Sequence, residues 1–373
     1  MTKMNRKKPS FGMPEYIEIE PTQGCNLRCR MCHVYYKKPT LDFLNLDKIS
    51  DFSFLKGKTV NLGAAYEPLI HPEINKLIDI LNNNDCEIAI TTNGHFLDKK
   101  KIPALCDANI GHITFSFDGI SKQTYENIRI GGSYSKALGN IEKFISSYSN
   151  DKSPVFVLNY TVLRNNLSEV EAAPKFWNDR GVDFINYIAM HTRYDDPFLH
   201  ENSLWPIKED YFNSLEKAAK VVVDQKLRIL LSTPFFKTKE FEKKWGQNLH
   251  GCNFSGLCDW SREPKNYRVL YEYGADFGMK FPCKSAFSSA RILPDANVML
   301  CSINNVGNLY DNLFDEIWYG EKANSFRDKI VIGDSLCHKC DYYRLCIDGP
   351  ELDLNNIENY YSQHMRKFAL LHK

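Results

Sequence analysis

From residue 15 to about residue 190 the chain alternates short runs rich in β-branched and aromatic residues with segments of helical period. Apolar side chains recurring every second residue suit a strand, and a spacing of three or four suits a helix. The expected strands are EYIEIE (15–20), KTVNLGA (58–64), CEIAITTN (86–93), HITFSFD (112–118), PVFVLNYTVL (154–163) and VDFINYIAM (182–190). Between them lie the expected helices NLDKISDFSFL, PEINKLIDILNNN, KKIPALCDAN, YSKALGNIEKFISSYS and NLSEVEAAPKFWNDRG. Repeated strand–helix–strand order predicts an α/β fold on a parallel sheet, because parallel neighbours need a crossover long enough to hold a helix. The alternation lapses after about residue 195, short of eight units. One clear helix follows, KEDYFNSLEKAAKVVVDQK, and then LRILLSTPF, a last candidate strand. From about residue 252 the composition shifts to cysteine, glycine and aromatic residues. The expected divisions are therefore 1–195, 196–251 and 252–373.

With 373 residues the chain is long enough for one large core and a smaller one. A net charge of +1 leaves no basic footprint for nucleic acid. The opening MTKMNRKK lacks the apolar run of a signal peptide, and no apolar stretch approaches the ~20 residues of a membrane span. Twelve cysteines in a chain of this kind read as reduced ligands plus buried thiols, in a cytoplasmic setting.

Cys25, Cys29 and Cys32, in GCNLRCRMCHVYY, gather three thiols on one short stretch as C-x3-C-x2-C. A cubane iron–sulfur cluster has four irons to ligate, so three protein thiolates leave one iron an open position. For zinc, open coordination separates a reactive metal from one that only holds a fold together, and the same logic extends to iron. Two other readings fit the spacing. Positions i, i+4 and i+7 share a helical face, as small buried residues would, and cysteine clusters in cytosolic chains also bind zinc. Pro21, Gly24 and Asn26 disfavour a helix here, and EYIEIEP just before reads as a strand.

Other segments carry chemistry at later strand ends, where parallel α/β barrels gather function. After the second strand comes LGAAYEPLIHPEI (62–74), and after the third TTNG (91–94). At the fourth, period-2 alternation puts Ser116 and Asp118 on one face. YENIRIGGSY (125–134) follows. Taken together and in this order, these segments resemble the radical S-adenosylmethionine (SAM) superfamily, whose fold is a partial (βα)6 barrel. The resemblance implies that Cys25, Cys29 and Cys32 hold a [4Fe–4S] cluster whose open iron chelates SAM. It implies SAM contacts from Glu67, Asn93, Ser116, Asp118 and Arg129, with the serine and aspartate toward the ribose and the arginine toward the carboxylate. The family usually has Gly-Gly-Glu-Pro where this chain has Ala65-Tyr66-Glu67-Pro68, which makes this loop bulkier. Met31 stands where an aromatic residue often precedes the third cysteine.

The C-terminal part holds Cys283 and Cys301, separated by 17 residues around the hairpin-like ILPDANVML, and then Cys337 and Cys340 as C-x2-C. Two pairs satisfy full ligation of one cluster, and a zinc ribbon is the lesser reading. The pattern resembles the twitch or shortened SPASM auxiliary domain of radical SAM enzymes, often with glycine where Ala296 sits. It implies one auxiliary [4Fe–4S] cluster. Cys346 lacks a following C-x3-C, and Cys252 and Cys258 are extra ligands, hydrogen donors or ordinary loop thiols.

The resemblance implies reductive cleavage of SAM to a 5′-deoxyadenosyl radical, with an electron donor such as flavodoxin or ferredoxin. The expected reaction is hydrogen abstraction and oxidation of a sugar-like or aminocyclitol small molecule, with the auxiliary cluster as electron acceptor. His191 and Arg193, beside Tyr187 by the i, i+2 rule, are the candidate catalytic pair for taking the substrate's proton. Only 24 residues precede Cys25, too few for a peptide-leader domain, which tilts the expectation toward a small molecule. A peptide maturase, an epimerase with a thiol hydrogen donor, and a non-enzymatic zinc-binding protein are the other readings.

Overall fold

The computed structural model describes residues 12–63, 65–148, 153–190, 196–232, 285–301 and 304–332, with short strands at Gly256–Leu257 and Glu272–Tyr273. All six expected strands form: β1 (Tyr16–Ile19), β2 (Thr59–Leu62), β3 (Glu87–Thr92), β4 (Ile110–Ser116), β5 (Val155–Val162) and β6 (Phe184–Ala189). LRILLSTPF supplies β7 (Leu230–Ser232). Three later strands, β8 (Ser289–Ile292), β9 (Asn297–Cys301) and β10 (Asn304–Asn308), follow.

These ten form one sheet in the order β10-β9-β8-β1-β2-β3-β4-β5-β6-β7. The pairs from β8 to β7 are parallel, and β9 and β10 turn back antiparallel at the β8 edge. A mixed α/β fold on a parallel sheet is thus what the alternation builds. Among the described residues no helix is long and apolar enough to cross a membrane.

Period-2 alternation gives the sheet two unlike faces. On one, Ile17, Ile19, Val60, Leu62, Ile113 and Phe115 are almost fully buried in the main core. The amphipathic helices α1 (Ile74–Asn83), α2 (Tyr134–Ser146) and α3 (Lys208–Asp224) supply that core with Leu77, Ile141 and Leu215. The opposite, inner face carries Glu18, Glu20, Asn61, Ser116, Asn159 and Asn186. The C-terminal hairpin joins the same core through Val298, Leu300 and Val306. Phe314 stacks on Phe54 at 4.4 Å, and the Trp318 indole N–H donates to the carbonyl of Gly12 at 2.9 Å.

Two expected helices are reduced. Residues 45–55 form 3₁₀ turns at Leu46–Lys48 and Ser53–Leu55. The Asn45 side chain accepts from the Asp47 N–H and the Asp51 side chain from the Ser53 N–H, and such local bonds compete with the helical ladder. The span 166–181 splits into a 3₁₀ segment, Arg164–Glu169, and a helix, Ala173–Asn178, because Pro174 is suited to a first turn and cannot continue one.

In the β8–β9 turn Ala296 takes φ 65°, a left-handed conformation costing a non-glycine residue about 1–2 kcal/mol. Its methyl is fully buried, worth about 0.8 kcal/mol. The two nearly offset, which is why alanine is tolerated where the family resemblance leads one to expect glycine. Ala296→Gly should therefore shift the unfolding midpoint little. A large change in either direction would mean the turn is held by other contacts.

Candidate cofactor and active site

The cysteine loop leaves the C-terminal end of β1 and is closed by its own backbone. The Arg28 guanidinium donates to the carbonyls of Cys25 (2.7 Å) and Leu27 (2.9 Å), and the Cys32 N–H donates to the Cys29 carbonyl (2.9 Å). Arg28 and Cys29 then pair antiparallel with Arg129 and Ile130, which sets Cys29 opposite Arg129 across 100 residues of sequence. Met31 packs beneath the loop against Ile128, Leu163, Met190, Phe198 and Leu199. Cys29 is buried, while Cys25 and Cys32 are partly exposed.

Arg129 is buried and charged. One of its nitrogens, Nη2, stands 2.7 Å from Oδ2 of Asp118, whose side chain is fully buried, in an ion pair not aligned as a hydrogen bond. Nη1 lies 3.9 Å from the Cys29 sulfur. Asp118 Oδ1 accepts from the Thr161 N–H at 2.7 Å, and the Asn166 amide donates to the Asp118 carbonyl at 2.9 Å. Burial pushes the Asp118 carboxyl above its ordinary range, with Arg129 opposing. Burial also raises the thiols, Cys25 to about 11 and Cys29 to about 12, and Arg129 pulls both back toward the thiolate.

A second set converges on Cys25. Glu67 caps the 3₁₀ turn Pro68–Ile70. Its Oε1 accepts from the Leu69 N–H (3.2 Å) and the Thr92 hydroxyl (2.7 Å), and its Oε2 from the Asn93 N–H (2.7 Å). The carboxylate thereby clamps the Thr92–Asn93 turn against its own loop. Burial raises it to about 7 against the pull of those donors. Gly63 permits this approach: φ is +71°, and a Cβ there would meet Pro68 at 2.6 Å. The Asn93 amide donates to the Asn26 side chain (2.9 Å) and lies 3.7 Å from the Cys25 sulfur.

His95 Nδ1 donates to Asn93 Oδ1 at 3.0 Å, and His95 Nε2 accepts from the Ser133 N–H at 2.9 Å. That network fits only the neutral imidazole, and burial lowers its pKa accordingly. A depressed histidine contributes stability that is present above its ordinary value of 6.5 and is lost as pH falls below it. Acidification should therefore lower the melting temperature of the wild type more than that of His95→Gln, measured side by side; equal slopes would exclude His95 as the source.

Residues that the sequence reading did not single out complete the mouth. Arg291 of β8 reaches across to β1, with Nη2 2.7 Å from Glu20 Oε1 and Nε 2.5 Å from Glu18. Glu20 Oε1 also accepts from the Ala65 N–H at 2.7 Å. The C-terminal hairpin is thereby tied through one carboxylate to the loop that carries Glu67. The signal lay in EYIEIE, where two acids alternate with isoleucines. Their partner, 271 residues away from Glu20, left none. Glu20→Gln removes the shared charge, and a loss of about 1.5–3 kcal/mol in urea unfolding is expected.

The structure thus brings Glu67 and Asn93 to Cys25, and Asp118 and Arg129 to Cys29. Ser116 stands apart, half-buried on the inner face and registered with Asn159. Tyr187 is corrected: it is fully buried in the main core and its hydroxyl donates to the Val170 carbonyl at 2.9 Å, so it does not face the mouth. His191, Arg193, Cys283, Cys337 and Cys340, with Cys252, Cys258 and Cys346, lie outside the described residues. Cys301 ends β9 and is half-buried.

No three His, Cys, Asp or Glu side chains among the described residues converge closely enough to hold a single metal ion. Three thiols spread around one loop, each to bond a separate iron, with a guanidinium beside the buried one, suit a cubane cluster instead. The donor set fits the group.

A family model described as the radical SAM superfamily matches residues 19–176. A second, SPASM, described as an iron–sulfur cluster-binding domain, matches residues 283–341 and so spans Cys283, Cys301, Cys337 and Cys340. The chain carries a radical SAM domain and a C-terminal SPASM domain. It is a radical SAM enzyme, and the two domains imply a SAM-binding [4Fe–4S] cluster, an auxiliary iron–sulfur cluster and SAM. Among similar curated proteins, GTP 3′,8-cyclase of Limosilactobacillus fermentum is 24% identical over 306 residues, covering 77% of this chain and 79% of that one. AdoMet-dependent heme synthase of Methanosarcina barkeri is 26% identical over 353 residues, 89% of this chain and 90% of that one. Among solved structures, anSMEcpe with bound AdoMet shares the fold at a TM-score of 0.59 and 16% identity, over 96% of this chain and 95% of that one.

Proposed function

We propose that this radical SAM enzyme oxidises a hydroxylated, sugar-like or aminocyclitol small molecule and delivers an electron to its auxiliary cluster. When bound, the cofactors supply a 5′-deoxyadenosyl radical that abstracts hydrogen from carbon and a second cluster that accepts an electron. The observation that carries the reading is the pairing of two cysteine sets in the sequence: a three-thiol loop, placed beside Arg129, that would leave one iron open, and four C-terminal cysteines, enough to ligate a second cluster fully.

The chain's own groups then have defined tasks. Cys25, Cys29 and Cys32 hold the first cluster, and Cys283, Cys301, Cys337 and Cys340 the second. Arg129 places positive charge at the first site, and Asp118 fixes its orientation. Glu67, Thr92 and Asn93 hold the loop that meets the methionyl end of SAM, with Ser116 toward the ribose. His191 and Arg193 are the candidates for taking the substrate's proton. A flavodoxin or ferredoxin serves as reductant, and the twelve cysteines suit a cytoplasmic setting.

A peptide substrate is the second reading, because SuiB bound to its precursor peptide SuiA shares this fold at a TM-score of 0.55 and 14% identity. Anaerobic reconstitution should give about eight irons per chain. Incubation with SAM and deuterated polyols should then move deuterium into 5′-deoxyadenosine. Transfer from a peptide alone would decide for the second reading, and stoichiometric zinc without iron would remove both.

A further inference from the structure

We infer that Asn159 and Asn186, continuing the register from Ser116 on the SAM side, form a docking row for a neutral, hydroxyl-bearing ring on the inner face of the sheet. The three are Cα partners straight across β4, β5 and β6, and the backbone of Ser232 continues the register on β7. Their strands send Phe115, Leu158 and Ile185 to the main core on the other face. The row itself is half-buried.

Its bonding is incomplete. The Asn186 amide N–H donates to Asn159 Oδ1 at 3.1 Å, which fixes both side chains. Asn186 Oδ1 is buried and accepts no hydrogen bond among the described residues. An acceptor left that way opposes folding, and a sheet position with no structural need for amides is a poor place to keep one. A donor from a bound molecule relieves the cost. No charged side chain belongs to the row, so the group that docks there is neutral.

The neighbouring registers define the rest of the ligand. Two residues down the strands, about 6.6 Å away, Val157, Phe184 and Leu230 are partners across the sheet. With Val155 they form a small apolar cluster separate from the main core. Two residues up from Ser116 is Asp118, paired with Arg129 beside Cys29. A molecule on the row thus needs hydroxyl groups along one edge and C–H surface along another, and the row stands one strand period from Asp118, whose partner Arg129 meets Cys29. A polyhydroxylated ring has both. This deepens the sugar-like reading above and rests on it for the chemistry, though not for the binding.

Saturation-transfer NMR on the reconstituted holoenzyme with SAM, using myo-inositol and methyl glucoside as probes, tests the row. Transfer to the ring C–H protons is expected, falling at least fivefold in Asn186→Leu at unchanged melting temperature. If that variant does not fold, Asn159→Ser must show at least a threefold fall. No transfer to either polyol in the wild type, or undiminished transfer in the folded variant, overturns the proposal. Release of 5′-deoxyadenosine by the same wild-type sample separately reports on the radical SAM reading. A sample that cleaves SAM yet ignores both polyols sinks the row alone, and one that binds them through Asn186 without cleaving SAM sinks only the chemistry.

Discussion

Replacing Cys29 with alanine is expected to reduce 5′-deoxyadenosine release under dithionite to background. Cys29 sits in a backbone ladder with Arg129, and that ladder does not depend on the side chain, so the loop keeps its path. What disappears is one of three thiols, and a cubane cannot be retained in its three-thiolate form by two. Iron should fall from about eight to about four atoms per chain while the auxiliary set stays loaded. Cys86 supplies the control. It is also buried, its thiol donates to the Leu55 carbonyl at 3.2 Å, and it lies in the main core, so Cys86→Ala should cost stability and spare SAM cleavage. A Cys29→Ala protein that still released the nucleoside would overturn the assignment of this loop.

The second large effect concerns the buried ion pair. Arg129→Met strips Asp118 of its counter-charge while leaving the carboxyl fully buried, and breaking such a pair from one side costs about 3–5 kcal/mol. The pH dependence gives the sign. Burial already raises Asp118 with the guanidinium opposing, and without Arg129 the rise is larger. A carboxyl raised on folding contributes stability below its ordinary value, 3.8, and loses it as pH rises through the folded value. The variant should therefore be most destabilised near neutrality and recover toward acid. Asp118→Asn in the same background should restore part of the loss, because a neutral amide is far cheaper to bury. Urea unfolding of both single variants and the double variant measures this, and strictly additive losses would show that the two side chains do not act as a pair.

Much of this architecture was legible in the chain. Period-2 runs with helical segments between them located β1 to β6 of the eight-stranded parallel array, because burial on one face writes its period directly into composition. The helices at 45–55 and 166–181 were less legible, since Asn45, Asp51 and Pro174 act on the backbone locally and override an apolar spacing. Within the site, the cysteine loop, Glu67, Asn93, Asp118 and Arg129 could be named, but not what each would touch. Glu67 looked like a group facing a ligand; its oxygens are engaged by Leu69, Thr92 and Asn93. Tyr187 shared a period with His191 and Arg193, yet its face turned out to be the core. Arg291 escaped notice because its partners on β1 lie nearly the whole described chain away.

By itself, the sequence determined which residue types stand at each strand end and that three thiols share one short loop, since periodicity and spacing are local properties. Only the tertiary structure decided that β8 would lie beside β1, that Arg129 would face both Asp118 and Cys29, and that Asn186 would keep an unanswered acceptor on the inner face. Those outcomes depend on which distant backbones pair and in what register. A shift of one residue would turn each of these side chains to the other face of the sheet.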